Sequence, residues 1–229
     1  MDLRIFVGFD SREAVAYHVC CNSLIRHASR PLSITPLDLG NLEGVYEEKH
    51  KDGSNAFIYS RFLVPYLAGF RGTALYLDGD MIVTDDIAKI FDLVEVGKDV
   101  MVVKHNYETK YPTKYFGAVN ESYPKKNWSS VMLFPNCSTF PVQRLTPSFV
   151  AKQTGEFLHR MQWTTSDRIG SLPKEWNWLV GEYETNPDAK LVHYTISIPA
   201  IQDCGDQVHA KQWWDEYHKL VNIDGPTNA

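Results

Sequence analysis

The first predicted element of the chain is a near-continuous apolar run at residues 3–9, Leu-Arg-Ile-Phe-Val-Gly-Phe, which ends in polar residues. Such a run is typical of a strand that is buried on both faces of a sheet. Apolar residues then recur at roughly helical spacing over residues 13–27, after Asp10 and Ser11, either of which can cap a helix. A strand buried on both faces and followed by a helix predicts an α/β fold.

Strand-like and helical segments continue to alternate along the chain. Further strands are predicted at residues 32–37, 73–77, 81–83, 100–103, 131–134 and 191–194. Further helices are predicted at residues 56–67, 87–93, 147–152, 155–161 and 210–221. This order favours a Rossmann-like α/β fold with a mostly parallel central sheet and helices on both faces.

Composition and charge narrow the class of protein. The chain has 229 residues, of which 44% are hydrophobic and 22% charged, so it can bury a substantial core. Because no repeat or linker divides the sequence, we expect a single domain over residues 1–229. The formal net charge of -5 argues against non-specific binding of nucleic acid. Because the sequence shows neither a secretory signal nor an apolar stretch of about 18 to 20 residues, we expect no transmembrane segment and a cytoplasmic location.

The strongest motif is Asp78-Gly79-Asp80, which follows the predicted strand at residues 73–77. Carboxyl ends of strands are where open α/β sheets bind ligands, and carboxylate oxygens suit Mg²⁺ or Mn²⁺. Gly79 lets the backbone turn so that both carboxylates can face one point, and it leaves space for a nucleotide. The alternative is an ordinary Asp-Gly turn between two strands.

The chain resembles the GT-A nucleotide-sugar glycosyltransferases, and glycosyltransferase family 8 in particular. The resemblance is carried by residues 5–10, by residues 59–67 ahead of the D-x-D motif, and by His193-Tyr194-Thr195 after a predicted strand. It implies a nucleotide-binding part at about residues 1–105 and an acceptor-side part at about 106–229. It also implies that Asp78, Asp80 and His193 bind Mn²⁺ or Mg²⁺, which bridges the two phosphates of the donor.

The residues after His193 depart from the family pattern at the place where family 8 enzymes bind the diphosphate of the donor. Family 8 enzymes usually follow the metal-binding histidine with a glycine and then a lysine that meets the diphosphate, whereas residues 194–200 here read Tyr-Thr-Ile-Ser-Ile-Pro-Ala. Thr195 and Ser197 can donate hydrogen bonds, but neither replaces a positive charge. The residue that neutralises the leaving phosphate is therefore left open by the sequence.

Arg61 lies on a predicted apolar helix upstream of the D-x-D motif. A buried arginine must be paired, so Arg61 either orients an aspartate or contacts the donor, or it forms a salt bridge that ties the helix to the sheet.

Four residues at the end of the first strand form a second group of candidates: Gly8, Phe9, Asp10 and Arg12. The resemblance implies that they contact the base and ribose of the nucleotide. The alternative is a capped turn.

Candidates on the sugar side lie later in the chain. The resemblance places Ser129 and Ser130 beside sugar hydroxyls and Asp167 close to the transferred sugar, although the two serines are equally plausible as ordinary strand-start residues. Residues 106–127 are rich in turn formers and have weak periodicity, so we expect an excursion from the sheet that acts as an acceptor-side lid.

Together these features predict an enzyme that transfers a sugar from a nucleoside diphosphate sugar, UDP-sugar being the preferred donor, to a saccharide or other acceptor hydroxyl. The resemblance favours retention of configuration; if the enzyme inverts, a carboxylate must act as base, and Asp167 is the first candidate. Two alternatives stay open: a nucleotidyltransferase that makes nucleotide sugars, and a non-catalytic module that binds nucleotide sugars or carbohydrate.

Overall fold

A computed structural model of the chain describes residues 3–50 and 55–222. The strands, in chain order, are β1 (Leu3–Gly8), β2 (Leu32–Leu37), β3 (Ala74–Leu77), β4 (Met81–Val83), β5 (Val100–Val102), β6 (Thr113–Lys114), β7 (Ala118–Val119), β8 (Val131–Phe134), β9 (Ile169–Ser171), β10 (Trp178–Leu179) and β11 (Leu191–His193). The α-helices are α1 (Ala14–Arg26), α2 (Val64–Leu67), α3 (Ala88–Phe91), α4 (Phe140–Gln143), α5 (Pro147–Val150), α6 (Gly155–His159) and α7 (Gln207–Val221).

The central sheet has the strand order β2-β1-β3-β8-β5-β9 within the described ranges. β1 is parallel to both of its neighbours, and β5 is parallel to β9. β8 runs antiparallel to β3 and β5 on either side of it. The predicted mostly parallel α/β sheet is therefore confirmed, with β8 as its reversed strand.

Alternate residues of the central strands enter two separate cores. Ile5 and Leu75 pack in a cluster that includes residues of α1 and α3. Phe6 and Tyr76 point to the other face and join a cluster that includes residues of α2, α4, α5 and α6. Because successive side chains of a strand alternate between the faces, one apolar run supplies both cores, and the prediction of helices on both faces is confirmed.

A smaller sheet, of order β10-β11-β4, lies beyond the end of β3 in the described part of the chain. β11 is parallel to β10 and antiparallel to β4, which sets His193 opposite Met81. Because β4 follows β3 after only three residues, this pairing brings the end of β11 to the turn that carries the D-x-D motif.

The helix predicted at residues 56–67 is shorter than expected. The structure has a 3-10 turn at Ser60–Leu63 followed by the single helical turn α2. Pro65 lacks a backbone N–H and is tolerated only in the first turn of a helix, so α2 begins beside it rather than upstream. The positive φ angles of Gly69 and Phe70 are incompatible with further helix after α2.

Residues 106–127 leave the central sheet, as expected, and contain the small antiparallel hairpin of β6 and β7. In the ranges given above, no helix combines the length and the apolar character needed to cross a membrane.

Candidate metal centre

The turn between β3 and β4 holds two buried aspartates. Asp78 is 7% exposed and Asp80 is 5% exposed. The backbone amide of Asp78 donates to the carbonyl of Ser130 at 3.0 Å, and the amide of Tyr194 donates to the carbonyl of Asp80 at 3.0 Å. These bonds fix both carboxylates at the carboxyl end of β3, where open α/β sheets bind their ligands.

Two glycines allow this turn to touch the end of β1. A Cβ on Gly79 would lie 2.3 Å from the carbonyl oxygen of Gly8, and backbone cannot give way as a flexible side chain can. A Cβ on Gly8 would lie 2.5 Å from the ring of Phe57. The structure thus assigns both glycines a packing role, and their contact with a nucleotide stays a prediction.

The imidazole of His193 faces both aspartates from the end of β11. Its Nε2 lies 3.4 Å from Oδ1 of Asp80 and 4.0 Å from Oδ2 of Asp78. Its Nδ1 lies 3.0 Å from Oδ1 of Asn177, whose amide nitrogen donates to Ser130 Oγ at 2.8 Å. The amide oxygen of Asn177 is therefore the acceptor, Nδ1 of His193 donates to it, and Nε2 is the ring nitrogen that faces the carboxylates.

This set of atoms fits a divalent cation. Single ligand atoms of Asp78, Asp80 and His193 all lie within 4.8 Å of one another, and the three residues are buried. Oδ1 of Asp80 is buried and accepts no hydrogen bond from the described residues. Two carboxylates and an imidazole nitrogen that converge on one point form a set of ligand atoms that Mn²⁺ or Mg²⁺ can accept.

Arg61 and Tyr76 hold the other side of Asp78. Nη1 of Arg61 lies 2.9 Å from Oδ1 of Asp78, and the Tyr76 hydroxyl donates to the same oxygen at 2.5 Å. Nη1 of Arg61 also donates to the carbonyl of Ser129 at 3.1 Å. Burial raises the pKa of the Asp78 carboxyl, and the positive charge of Arg61 limits that rise. These contacts fit both the orienting role of Arg61 and the salt bridge between helix and sheet, so its role in the site stays a prediction.

A polar cleft opens at these residues. Besides the aspartates, Arg61 and His193, it is lined by Asn55, Ile58, Lys114, Tyr123, Asn127, Ser129, His159 and Thr195. Lys114, Tyr123 and Asn127 belong to the segment 106–127, so this segment reaches the candidate metal ligands themselves.

The two predicted serines have different surroundings. Ser129 lines the cleft, and its Oγ lies 2.7 Å from Nδ1 of His159. Ser130 is 1% exposed; its hydroxyl donates to the carbonyl of Asn127 at 2.7 Å and accepts from Asn177. The hydrogen bonds of Ser130 support Asn177 and the metal-facing histidine, whereas Ser129 stays a candidate for sugar binding.

Asp10 and Arg12 form a capped turn at the end of β1. The Asp10 carboxylate accepts hydrogen bonds from the backbone amides of Arg12 and Ala56, each at 3.0 Å, and pairs with the Arg12 guanidinium at 2.6 Å. The Arg12 guanidinium lies over the ring of Phe116, 5.4 Å from its centroid. Phe9 packs edge-on against the ring of Tyr17. Nucleotide contact by Phe9, Asp10 and Arg12 stays a prediction.

Asp167 lies away from the candidate metal centre. It is exposed and lies two residues before the start of β9, with its backbone carbonyl accepting from Lys98 Nζ at 2.8 Å. β3, β5 and β9 all run in the same direction, since β8 is antiparallel to both β3 and β5 and β9 is parallel to β5. Asp78 follows the carboxyl end of β3, whereas Asp167 precedes the amino end of β9. The two aspartates therefore lie at opposite ends of the sheet. The structure does not bring Asp167 to the cleft, contrary to the role inferred from the resemblance.

Several cleft residues carried no usable signal in the sequence. Lys114 and Tyr123 belong to a polar, turn-rich segment in which each resembles an ordinary surface residue. His159 ends a one-turn helix distant in sequence from the D-x-D motif. Asn177, which lies between two tryptophans and outside the cleft lining, gave no such signal either, although its amide oxygen orients His193.

Comparison with known proteins yields one close relative in sequence. The chain is 40% identical to Protein CDI of Arabidopsis thaliana over 227 residues, which cover 94% of this chain and 87% of that protein. No family model matches the sequence.

Solved glycosyltransferases share the fold. The WbbM bifunctional glycosyltransferase superposes with a TM-score of 0.64 at 14% identity, over 97% of this chain and 50% of that one, so the chain spans about half its length. The galactosyltransferase LgtC, solved with donor and acceptor sugar analogues, superposes with a TM-score of 0.57 at 14% identity, over 96% of this chain and 97% of that one. The chain has the fold of the GT-A glycosyltransferases.

Proposed function

The chain belongs to the family of Protein CDI of Arabidopsis thaliana, and for this member we propose a glycosyltransferase that moves a sugar from a nucleoside diphosphate sugar to an acceptor hydroxyl. The observation that carries the proposal is the convergence of Asp78, Asp80 and His193 at the carboxyl end of the sheet. In this fold class that position binds ligands, and this donor set suits a cation that accompanies phosphates.

The ligand residues proposed for Mn²⁺ or Mg²⁺ are Asp78, Asp80 and His193. When bound there, the cation would supply Lewis-acid stabilisation of the negative charge that develops on the departing diphosphate. The protein holds the ligands in place beforehand: Arg61 and Tyr76 fix one oxygen of Asp78, which leaves the other directed toward His193. Such preorganisation reduces the reorganisation needed during transfer.

The solved neighbours support the same reaction class. LgtC is described as a galactosyltransferase with donor and acceptor sugar analogues bound, and this chain covers 97% of it. Because LgtC is only 14% identical to this chain, the likeness supports the fold alone. The reaction is proposed from the residues of the candidate metal centre. As part of this proposal, residues of about 1–105 bind the nucleotide, and residues of about 106–229 supply His193 and the acceptor side.

For the finer assignment we propose a UDP-sugar donor, membership of glycosyltransferase family 8 and retention of configuration. An inverting enzyme requires a carboxylate base beside the acceptor. Among the described residues that line the cleft, the carboxylates are Asp78 and Asp80, which are assigned to the metal. Asp167 lies at the opposite end of the strands, and this supports a route in which a phosphate oxygen of the donor accepts the proton of the acceptor hydroxyl.

The test is to incubate the purified protein with UDP-glucose or UDP-galactose and Mn²⁺ and to measure free UDP. Release of UDP that requires Mn²⁺ and disappears in Asp80→Ala supports the transferase. Tight binding of the sugar nucleotide without turnover across a broad set of acceptors supports a binding module instead. Incorporation of labelled pyrophosphate into UTP in the presence of UDP-glucose supports a nucleotidyltransferase.

A further inference from the structure

A second cavity, of about 320 Å³, lies at the ends of β5 and β9, and we call it the β5–β9 cavity. The polar side chains that line it include Lys104, His105, Ser171, Lys174 and Tyr183. Within the described ranges no acidic side chain lines it, although the whole chain carries a formal net charge of -5. The lining therefore favours a ligand that carries negative charge.

The β5–β9 cavity and the candidate metal centre lie at the same end of the central sheet. β3, β5 and β9 run in the same direction, and Lys104 follows the carboxyl end of β5 as Asp78 follows that of β3. In the strand order, β5 is two positions from β3 and β9 is three. Since neighbouring strands are about 4.8 Å apart, β5 and β9 lie about 10 and 14 Å from β3. An acceptor of several sugar units spans such a distance.

The cavity also lies on the side of the metal centre that is opposite to β1. β1 neighbours β3 on one side, whereas β8, β5 and β9 follow on the other. The residues proposed to contact the nucleotide follow β1, and the diphosphate is proposed to bind beside Asp78 and Asp80. A donor placed in this way leaves the side toward β5 and β9 for the acceptor.

Both lysines of the cavity have partners within the protein, and these partners carry no charge. Nζ of Lys104 donates to the carbonyl of Ile169 at 2.8 Å. Nζ of Lys174 lies 3.5 Å from the ring centroid of Tyr183 and 4.9 Å from that of Trp178. A carbonyl and an aromatic ring hold an ammonium group in place without neutralising it, and an ammonium group has three N–H donors. An anion can therefore join these existing contacts without displacing them.

His105 adds a neutral hydrogen-bonding group to the same cavity. The residue is 6% exposed, and its Nδ1 lies 2.7 Å from the hydroxyl of Tyr183. Burial lowers the pKa of His105 to about 3, so the ring is neutral near pH 7. Its Nε2 is buried and has no hydrogen-bond partner in the described part of the chain. Because an unsatisfied buried polar atom costs free energy, this ring favours a ligand with hydroxyl groups.

Two contacts tie this cavity to the cleft of the metal centre. Nε1 of Trp128, which directly precedes the cleft residue Ser129, donates to the carbonyl of His105 at 2.7 Å. The ring of Tyr107 packs edge-on against that of His105, and its hydroxyl accepts from the side-chain amide of Asn127 at 2.8 Å. Asn127 also lines the cleft. These contacts hold the two sites at a fixed separation.

We propose that the β5–β9 cavity binds a carboxylate or phosphate group of a saccharide acceptor, so that the enzyme acts on acidic acceptors in preference to neutral ones. This assignment rests on the proposed function. The reacting hydroxyl lies at the metal centre, and the anionic group, farther along the acceptor, pairs with Lys104 and Lys174. A neutral saccharide of the same shape lacks this attraction, which makes the charge a determinant of specificity.

Binding of matched saccharides tests the proposal. One pair of probes is trigalacturonic acid and the neutral trisaccharide obtained by reducing its carboxyl groups, and the other is trehalose 6-phosphate and trehalose. Each probe is titrated into the protein in saturating Mn²⁺ and UDP. Amide shifts in nuclear magnetic resonance spectra give both the affinity and the place of binding. The two pairs distinguish a carboxylate ligand from a phosphate ligand.

The variants are Lys104→Gln, Lys174→Gln and the double substitution, which remove charge and keep most of the side-chain length. The matched control is Lys98→Gln. Lys98 precedes β5 and donates to the carbonyl of Asp167 at 2.8 Å, which is the same kind of contact at the opposite end of the sheet. Thermal melts without ligand establish which variants are folded.

We expect at least one acidic probe to shift the amides of residues 103–106 and 171–174 and to bind about tenfold more tightly than its neutral counterpart. Each single substitution in the cavity should weaken that binding by about 3- to 10-fold, and the double substitution by more. Lys98→Gln should match wild type. The affinity for UDP, measured in the same variants, separates an effect on the acceptor from an effect on the donor.

Three results would overturn the assignment and leave the proposed function intact: equal binding of the acidic and neutral probes, no binding of either acidic probe, or unchanged affinity in the folded double variant. Failure of the wild-type protein to bind UDP, GDP or any other nucleoside diphosphate with Mn²⁺ would overturn the proposed function, and the acceptor role of the cavity with it.

Discussion

Nη1 of Arg61 lies 2.9 Å from Oδ1 of Asp78, and both side chains are almost completely shielded from solvent. The ion pair links the 3-10 turn ahead of α2 to the end of β3. By holding Oδ1 of Asp78 it also leaves Oδ2 directed toward His193. Stability and metal binding therefore depend on the same contact, and the two effects can be separated experimentally.

Replacing Arg61 by leucine is expected to lower the free energy of unfolding by about 3 to 5 kcal/mol, because it leaves a buried carboxylate without its partner. Urea unfolding without metal measures this loss. Arg160→Leu is the control, since its pair with Glu156 is exposed and such pairs contribute about 0 to 1 kcal/mol. Equal losses in the two variants would show that the buried pair has no special role in stability.

The hydrogen bond from His193 to Asn177 predicts an effect on metal affinity. Asn177→Ala removes the acceptor that orients the imidazole, so we expect Mn²⁺ binding to weaken by about 10- to 100-fold. Titration of Mn²⁺ followed by electron paramagnetic resonance gives the affinity, with circular dichroism to verify folding. Asn136→Ala, an exposed loop substitution, serves as the control. Unchanged affinity in folded Asn177→Ala would contradict the orienting role.

Gly79 is expected to be intolerant of any side chain. Gly79→Ala would place a Cβ 2.3 Å from the Gly8 carbonyl oxygen, so the turn or β1 must move, and we expect a loss of about 1 to 3 kcal/mol. Gly40→Ala is the matched control, because its Cβ would meet only the Asp38 carboxylate at 3.5 Å, an ordinary contact. The midpoints of denaturant unfolding measure the loss of stability in each variant. Similar losses in Gly79→Ala and Gly40→Ala would contradict the steric explanation.

The buried carboxylate of Asp99, which lies far from the cleft, is expected to make the stability of the fold sensitive to acid. Burial alone would raise its pKa, but hydrogen bonds from Arg168, Thr139 and Thr164 hold the pKa below the ordinary value of 3.8. A carboxyl whose pKa is lower in the folded state stabilises the protein above the unfolded pKa. That stability is lost as the pH falls below about 4 toward the folded pKa.

The measurement compares Asp99→Asn with wild type in urea at several pH values between 7 and 2. We expect Asp99→Asn to be less stable at pH 7 by about 2 to 4 kcal/mol, and the difference to shrink below pH 4. Asp92→Asn, in an exposed pair with Arg30, should stay close to wild type throughout. A difference that does not depend on pH would exclude the carboxylate charge as its source.

The sequence predicts the fold of this protein better than it predicts the residues of the candidate site. The apolar run at β1 and the strand ahead of Asp78 are local patterns, so the sheet and the position of the two carboxylates were accessible from the sequence. The resemblance supplied His193. The direction of β9 depends on long-range pairing with β5, and β9 itself was not predicted, so Asp167 was assigned to the wrong end of the strands.

Lys114 could not be identified from the sequence for a different reason. A lysine in a polar loop is almost always solvated, and only the folded path of residues 106–127 brings this one beside Asp78 and Asp80. Its place in the cleft depends on how that segment folds, which no local pattern encodes.

The placement of Asp167 leads to a final prediction about activity. Because the side chain is exposed and lies at the amino end of β9, Asp167→Ala should leave the rate of UDP release from the sugar nucleotide within about twofold of wild type. Asp80→Ala, measured in the same assay with Mn²⁺, should abolish release. A large loss of activity in a folded Asp167→Ala protein would mean that the acceptor side of the site reaches this end of the sheet, and that an inverting reaction with Asp167 as base must be reconsidered.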